Sequence, residues 1–320
     1  MRKNIKEIEV GTIVRLDFLY LGAEKKTNKN GKDYAVLKLC DGKNKFEAKH
    51  WDITPEQIGV EKGAILSGEL KVSLYNDRLD YQITNVYPST SLDVSLQDFI
   101  VMPPYDIDKM YNHIIDSLKA FVNNAQGAEE SIASIAIGLI EKCEKDYKRG
   151  SAAVSMHHNC YGGLLYHTYE MFLAAEGLVN AFPFVDKEIL LTAVAIHDIG
   201  KVKTYNTSAQ GDAELNVLEV LDGHLAVGYA AVLSEAPRHN CNKEKVRLLA
   251  HMVGSHHGKQ EWGAIQVPAT PEAFLLFAID YLDSRVNMYR KVQEGLEVGT
   301  FSNKQFALDN ANVYRPIYQG

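Results

Sequence analysis

Several features that would assign a sequence quickly to a large class are missing here. The four cysteines, Cys40, Cys143, Cys160 and Cys241, lie far apart and form no CxxC pair. That argues against a zinc knuckle, and it fits free thiols in a reducing compartment better than a disulfide frame. Long hydrophobic runs are absent too: stretches such as Ile189 to Ile196 fall far short of the roughly 20 apolar residues that cross a bilayer, so no membrane segment is expected. The opening MRKNIKEIEVG has no apolar core of the secretory type, and a cytoplasmic protein is expected. Positive charge is not in excess either. The formal net charge is −7, which argues against a protein that coats nucleic acid, because neutralising phosphates needs clustered Lys and Arg.

What is present is distributed unevenly. With 320 residues and 46% hydrophobic content, the chain can bury a sizeable core, and its length predicts two domains. Residues 1–90 carry 15 Lys and Arg against 13 Asp and Glu, whereas the remainder carries 19 against 28. From Gly11 to Tyr87 the sequence runs in β-rich segments (TIVRLDFLYL, YAVLKLC, KFEAKHW, AILSGELKVSLYN, DRLDYQITNVY) separated by turn dipeptides such as Asn30-Gly31 and Asp41-Gly42. About five short strands in this space predict a small all-β barrel of the OB type. Pro88 and the polar run STSLDVSLQD, followed by MPPYD, read as a linker. Beyond Asp106, seven segments carry apolar residues at helical spacing. The expected architecture is therefore an OB-like barrel at 1–90, a linker at 91–105 and an all-α domain at 106–320.

Nine of the eleven histidines fall between His157 and His257. In AVAIHDIGK an apolar helix ends in His197 and Asp198. Upstream stands His167 in GGLLYHTYEM; downstream stand His224 in DGHLAVGY, His256-His257 in GSHHG and Asp280 in FAIDYLD. Taken singly, each has a bland reading: His167 as a core histidine, His224 in a first helical turn behind Asp222 as N-cap, Lys201 as a solvated residue interacting with the helix dipole. Together they make a ligand set, because neutral imidazoles and carboxylates suit divalent manganese, iron, cobalt, nickel or zinc. Adjacent His and Asp side chains on a helix point about 100° apart, so His197-Asp198 can reach two neighbouring ions with the carboxylate bridging. Such ions lower the pKa of bound water from 15.7 to as little as about 7, and phosphodiester hydrolysis is the chemistry this suits. Lys201 lies one helical turn beyond His197, where its ammonium is expected to stabilise phosphoryl charge. His157 and His158 precede Gly162-Gly163 and are candidates for phosphate contact, for an added ligand or for a plain polar loop; His158 is carried forward as a substrate-binding candidate.

In order and residue type, His167, His197-Asp198, His224, His256-His257 and Asp280 resemble the motif of the HD-domain phosphohydrolase superfamily, over roughly residues 150–290. With an OB-like domain in front and the segment HHNCYGGLLYHT, the chain resembles the YhaM family of bacterial 3′→5′ exoribonucleases. The superfamily resemblance implies an all-α domain holding one or two metals on His167, His197, Asp198 and Asp280, with His224 and His256 or His257 serving a second ion or the substrate phosphate. The narrower resemblance implies a single-stranded nucleic acid substrate, RNA ahead of DNA with both left open, with manganese or cobalt as metal and 5′-nucleotide products. One departure stands out. Many HD proteins have a histidine in the segment before the last aspartate, where this chain reads LFAI, and Asp283 is a rival for the role of Asp280.

The front domain has eight lysines between Lys25 and Lys49 against three acids, interleaved with Tyr34 and Phe46 and close to Trp51. OB barrels hold single strands with a positive groove and aromatic platforms, which makes Tyr34 and Trp51 substrate-binding candidates; Phe18, Tyr20 and Phe46 cannot be sorted into core and surface before the strand register is known. Two other functions fit the same residues. One is a phosphohydrolase acting on free or cyclic nucleotides, favoured by the acidic helical half. The other is a single-strand-binding protein without chemistry. A homo-oligomer is expected, since exonucleases often shield their sites by assembly.

Overall fold

The computed structural model describes residues 4–75, 78–153, 160–208, 211 and 213–318. The chain forms two compact units, Met1–Met102 with Val292–Gly320, and Pro103–Lys291.

The first unit is built on a closed five-stranded barrel in the order β1-β2-β3-β5-β4, with β1 Ile13–Thr27, β2 Asp33–Cys40, β3 Lys45–His50, β4 Ile65–Tyr75 and β5 Arg78–Pro88. This is the OB-like barrel expected, although its first strand, at 15 residues, is longer than the short segments read from the sequence. One strand serves two partners because it bends. Residues Ile13 to Leu19 pair with β4 and Leu19 to Thr27 with β2, with an irregularity between Tyr20 and Gly22 where the extra residue turns the strand. Closure comes from the parallel contact of Lys49 with Gln82. The period of two then sorts the aromatics. Phe18, Tyr20, Leu37, Leu66, Leu70 and Ile83 fill the barrel, with Phe46 and Tyr81 packed against them. Tyr34 and Trp51 stand outside this core.

Residues 91–105 and 292–320 differ from expectation. The stretch expected as a linker contains a turn of 3-10 helix, Leu96–Phe99, whose Phe99 is buried with Leu19 and Cys40 and accepts a bond from the Cys40 thiol at 3.0 Å through its carbonyl. Val292–Gly320, expected to complete the helical domain, belongs to the barrel's unit. There Lys6 pairs with Glu294 at 3.0 Å, and short antiparallel bridges join Phe301 to Tyr314 and Gln305 to Ala311. These contacts connect residues distant in sequence, which local periodicity does not report.

The second unit is helical: α1 Ile107–Asn124, α2 Ala133–Lys142, α3 Glu144–Arg149, α4 Gly163–Ala181, α5 Lys187–Ile196, α6 Lys201–Thr204, α7 Val217–Leu221, α8 Gly223–Glu235, α9 Lys243–Ser255 and α10 Pro271–Glu294. A two-stranded hairpin, β6 Tyr205–Thr207 and β7 Ala213–Leu215, interrupts it between α6 and α7. Side-chain oxygens start the helices by accepting otherwise unpaired backbone N–H groups: Asp106 caps α1, Asp186 caps α5 and Asn242 caps α9. Asp222 sits at the start of α8 without such a bond. Helix α5 is apolar on every side, and all eight residues from Ile189 to Ile196 are buried, as expected of a helix through the centre of a core. Whatever follows it is therefore delivered to the middle of the unit. Gly200 then lets two elements meet: a Cβ there would lie 2.1 Å from the His224 carbonyl oxygen, so only glycine allows the α6 start to touch the first turn of α8.

Candidate metal centre

Seven of the side chains singled out from the sequence converge. His167 comes from α4, His197 and Asp198 from the end of α5, His224 from α8, His256 and His257 from the end of α9, and Asp280 from α10. Asp198 is their centre. Its Oδ2 lies 3.3 Å from His197 Nε2 and 4.0 Å from His167 Nε2, while its Oδ1 lies 3.5 Å from His224 Nε2 and 3.6 Å from His256 Nε2. His167 Nε2 is also 3.2 Å from Asp280 Oδ1.

The five imidazoles share one arrangement. Every Nδ1–H donates outward: His197 to the Val194 carbonyl at 2.8 Å, His256 to the Val253 carbonyl at 2.8 Å, His257 to the Trp262 carbonyl at 2.7 Å, His224 to Glu219 at 2.8 Å and His167 to Asp283 at 2.6 Å. A carbonyl or carboxylate on Nδ1 fixes the tautomer of a neutral imidazole, so its Nε2 presents a lone pair, which is how metal-ligating histidines are held. Buried polar atoms normally find partners. Yet His197 Nε2, His224 Nε2 and Asp198 Oδ1 are buried without a hydrogen bond, and all three belong to this cluster.

Two sets of donor atoms each lie within 4.8 Å of one another, His167 with His197 and Asp198, and His224 with His256 and His257. Asp198, with one oxygen toward each set, stands where a bridging carboxylate would. The ionisation states suit a cation. Burial depresses the His224 and His256 imidazoles, and burial with the neighbouring His256 lowers His257 to about 4. Burial also opposes the charge on Asp198, but Lys201 and His197 outweigh it and hold the carboxyl well below its usual range. His167 differs: burial would lower it, but bonds to Asp280 and Asp283 push it up to about 10. Without an ion these carboxylates keep a proton on His167; a divalent ion supplies the same positive charge. The donor set and its orphaned atoms fit one or two divalent ions.

Asp280 and Asp283 both touch His167 on opposite nitrogens, so Asp280 faces the cluster and Asp283 stands behind it, where Asn287 also donates to it at 3.1 Å. Lys201 is turned to Asp198, Nζ to Oδ2 at 2.6 Å, rather than outward. His157 and His158 lie outside the described residues. His113, His239 and His251 bond elsewhere, to Glu176, to Glu130 and Glu235, and to the Ala269 amide. In the barrel, Tyr34 and Trp51 pack ring to ring at 4.4 Å, with Lys49 Nζ 5.7 Å from the Trp51 ring and 5.9 Å from that of exposed Tyr75. Sequence reasoning missed Glu219 and Tyr75. Glu219 stands five residues before His224, off any helical repeat, so no signal marked it.

The geometry agrees with what the chain is similar to. Residues 164–285 match the HD domain family. Over 323 residues, covering 100% of both chains, the sequence is 31% identical to the 3′-5′ exoribonuclease YhaM of Listeria monocytogenes serotype 4b. The chain belongs to the YhaM family. Relatives of the same name from Shouchella clausii and Bacillus licheniformis are each 30% identical, over 99% of this chain and 98% and 99% of theirs. A solved structure, the second OB-fold domain of replication protein A from Methanococcus maripaludis, aligns with 30% of this chain and 98% of its own at 18% identity and a TM-score of 0.23; the strand order, not this likeness, identifies the barrel. As a family member with an HD domain, the chain is a metal-dependent hydrolase. Among the described residues, no helix is long and apolar enough to cross a membrane.

Proposed function

We propose that the protein removes nucleoside 5′-monophosphates from the 3′ end of single-stranded RNA, with divalent manganese at the His-Asp cluster and the barrel holding the strand. The observation that carries this reading is the outward anchoring of five Nδ1 atoms, which turns the Nε2 atoms inward around one buried carboxylate. The metal, when bound, activates water and offsets charge on the phosphoryl oxygens. The chain's own residues do the rest. His167, His197 and Asp280 with one oxygen of Asp198 would hold one ion; His224, His256 and His257 with the other oxygen would hold a second. Lys201 keeps Asp198 ionised and oriented through its bond at 2.6 Å, so in this role it positions a ligand rather than contacting phosphate. RNA as substrate and the 3′→5′ polarity are supported by the names of the relatives. Tyr34 and Trp51, whose rings meet at 34° outside the barrel core, lie with Tyr75 around Lys49, itself bonded to Asp80; rings beside a cation are the combination that binds single strands without sequence preference.

The test is hydrolysis of 3′-labelled and 5′-labelled single-stranded RNA with manganese, beside DNA and free and cyclic nucleotides, by the wild type and Asp198→Ala. The proposal expects labelled mononucleotide from the 3′ end at the earliest times, and loss of both activity and bound metal in the variant. Consumption of free or cyclic nucleotides with RNA left intact would move the substrate to the small-molecule class. No turnover of any phosphodiester would sink the enzymatic reading.

A further inference from the structure

Beside the metal centre lies an aromatic pair that none of the metal chemistry uses. Trp262 and Tyr281 stack with ring centroids 5.8 Å apart and planes 5° from parallel. Phe277 lies against both, at 6.3 and 6.0 Å. Each ring also has a cation over it: Lys259 Nζ is 4.3 Å from the Trp262 ring, and the Arg285 guanidinium is 4.8 Å from that of Tyr281. Despite this packing, Trp262 is 42% and Tyr281 37% exposed. Both are tied to the cluster, since the Trp262 carbonyl fixes His257 at 2.7 Å and Tyr281 follows Asp280 in α10.

We propose that Trp262 and Tyr281 form a stacking platform for a nucleobase at the end of the strand being cut, with Lys259 and Arg285 drawn to its phosphates. This deepens the proposed function and rests on it. A purely apolar protein partner would have to desolvate two cations at this patch, whereas a nucleotide brings a π-face for the rings and an anion for each cation. Among the described residues, exposed Lys259 has one ion pair, with Glu261 at 3.8 Å, a weak surface contact, so its ammonium can exchange the ring for a phosphate when a base arrives. Stacking reads every base alike, which suits an enzyme that must remove nucleotides regardless of sequence. A platform next to the ligands would also set how far the terminal linkage advances toward Asp198.

The test uses two readouts. The chain has two tryptophans, so the full-length Trp51→Phe variant reports Trp262 alone. A phosphorothioate RNA oligonucleotide should quench its emission saturably, and the same oligonucleotide with abasic 3′-terminal residues should not. In steady-state kinetics, Trp262→Ala should raise KM for RNA by about 5- to 150-fold, the range expected for one lost stacked base, while Trp262→Phe keeps most of the affinity. On RNA with abasic 3′ ends, wild type and Trp262→Ala should have the same KM, because the ring has nothing to stack on; a merely structural role would lower performance on both substrates. If the wild type degrades RNA but emission does not change and the KM ratio is the same on both substrates, the platform is refuted and the proposed function stands. If the wild type degrades no RNA, it is the proposed function that fails.

Discussion

Removing the anchor behind a ligand, rather than the ligand, is the sharpest test of the metal centre. Among the described residues, Glu219 is hydrogen-bonded to one member of the cluster, His224, whose Nδ1–H it accepts at 2.8 Å. Burial works against its charge, but His224, Thr204 and Lys201 together outweigh it and hold the carboxyl below its usual range. In Glu219→Ala the buried imidazole loses the acceptor that fixes its tautomer, and the proton is no longer kept off Nε2. Glu219→Gln still offers a carbonyl oxygen and loses only the charge. Losing such an outer partner typically costs about 10- to 100-fold in metal affinity, or about 1.4–2.8 kcal/mol. The expected order of manganese affinity is wild type, then Gln, then Ala, with the loss confined to one class of site because His167, His197 and Asp280 keep their partners. Calorimetric titration of chelator-stripped protein resolves this, with circular dichroism to confirm folding. Wild-type affinity in a folded Glu219→Ala variant would refute the assignment of His224 as a ligand, as would equal weakening of both classes.

In chelated protein the neutral imidazoles make stability depend on pH. His257, lowered to about 4, and His224 and His256, also lowered by burial, bind fewer protons folded than unfolded. These three therefore cost no stability above about pH 6.5 and reduce it as pH drops toward 4; a melting temperature unchanged between those values would contradict it. His167, raised to about 10, acts with the opposite sign: its contribution is complete below about pH 6.5 and is lost as pH rises through 10. Gly200→Ala puts a methyl group 2.1 Å from the His224 carbonyl oxygen; we expect a loss of about 1–3 kcal/mol in chemical denaturation and weaker manganese binding, whereas unchanged values would mean that α6 and α8 separate freely. Trp51→Ala should weaken RNA binding by about 1–3 kcal/mol in a filter assay and leave metal content unchanged, and a drop in metal content would place Trp51 in the wrong role.

Much of this architecture is legible in the sequence, and what is not has a physical reason. Alternating residues such as Ala35, Leu37 and Leu39 and the turn dipeptides mark the strands, but the parallel contact that closes the barrel joins Lys49 to Gln82 and leaves no local trace. The order of histidines and aspartates marks the cluster, although only His197-Asp198, His224 and His256-His257 sit at helix ends, with His167 and Asp280 inside α4 and α10. The partners of their Nδ1 atoms are mostly backbone carbonyls of Val194, Val253 and Trp262, which no residue type betrays. Lys201 stands one turn from His197 as spacing predicts. A cation buried there requires the nearest carboxylate, which is why it turns to Asp198.

The unit that carries the His-Asp cluster is continuous in sequence, whereas the barrel's unit is made from two pieces separated by the 189 residues from Pro103 to Lys291. Bringing ends so far apart together costs a flexible chain roughly 5 kcal/mol in loop-closure entropy, most of which is avoided if the intervening helices have already condensed. Chains emerge from the ribosome amino terminus first. The barrel strands are therefore synthesised first, yet their unit waits for residues 292–320 to be complete, while the helical unit between them can fold before those residues exist.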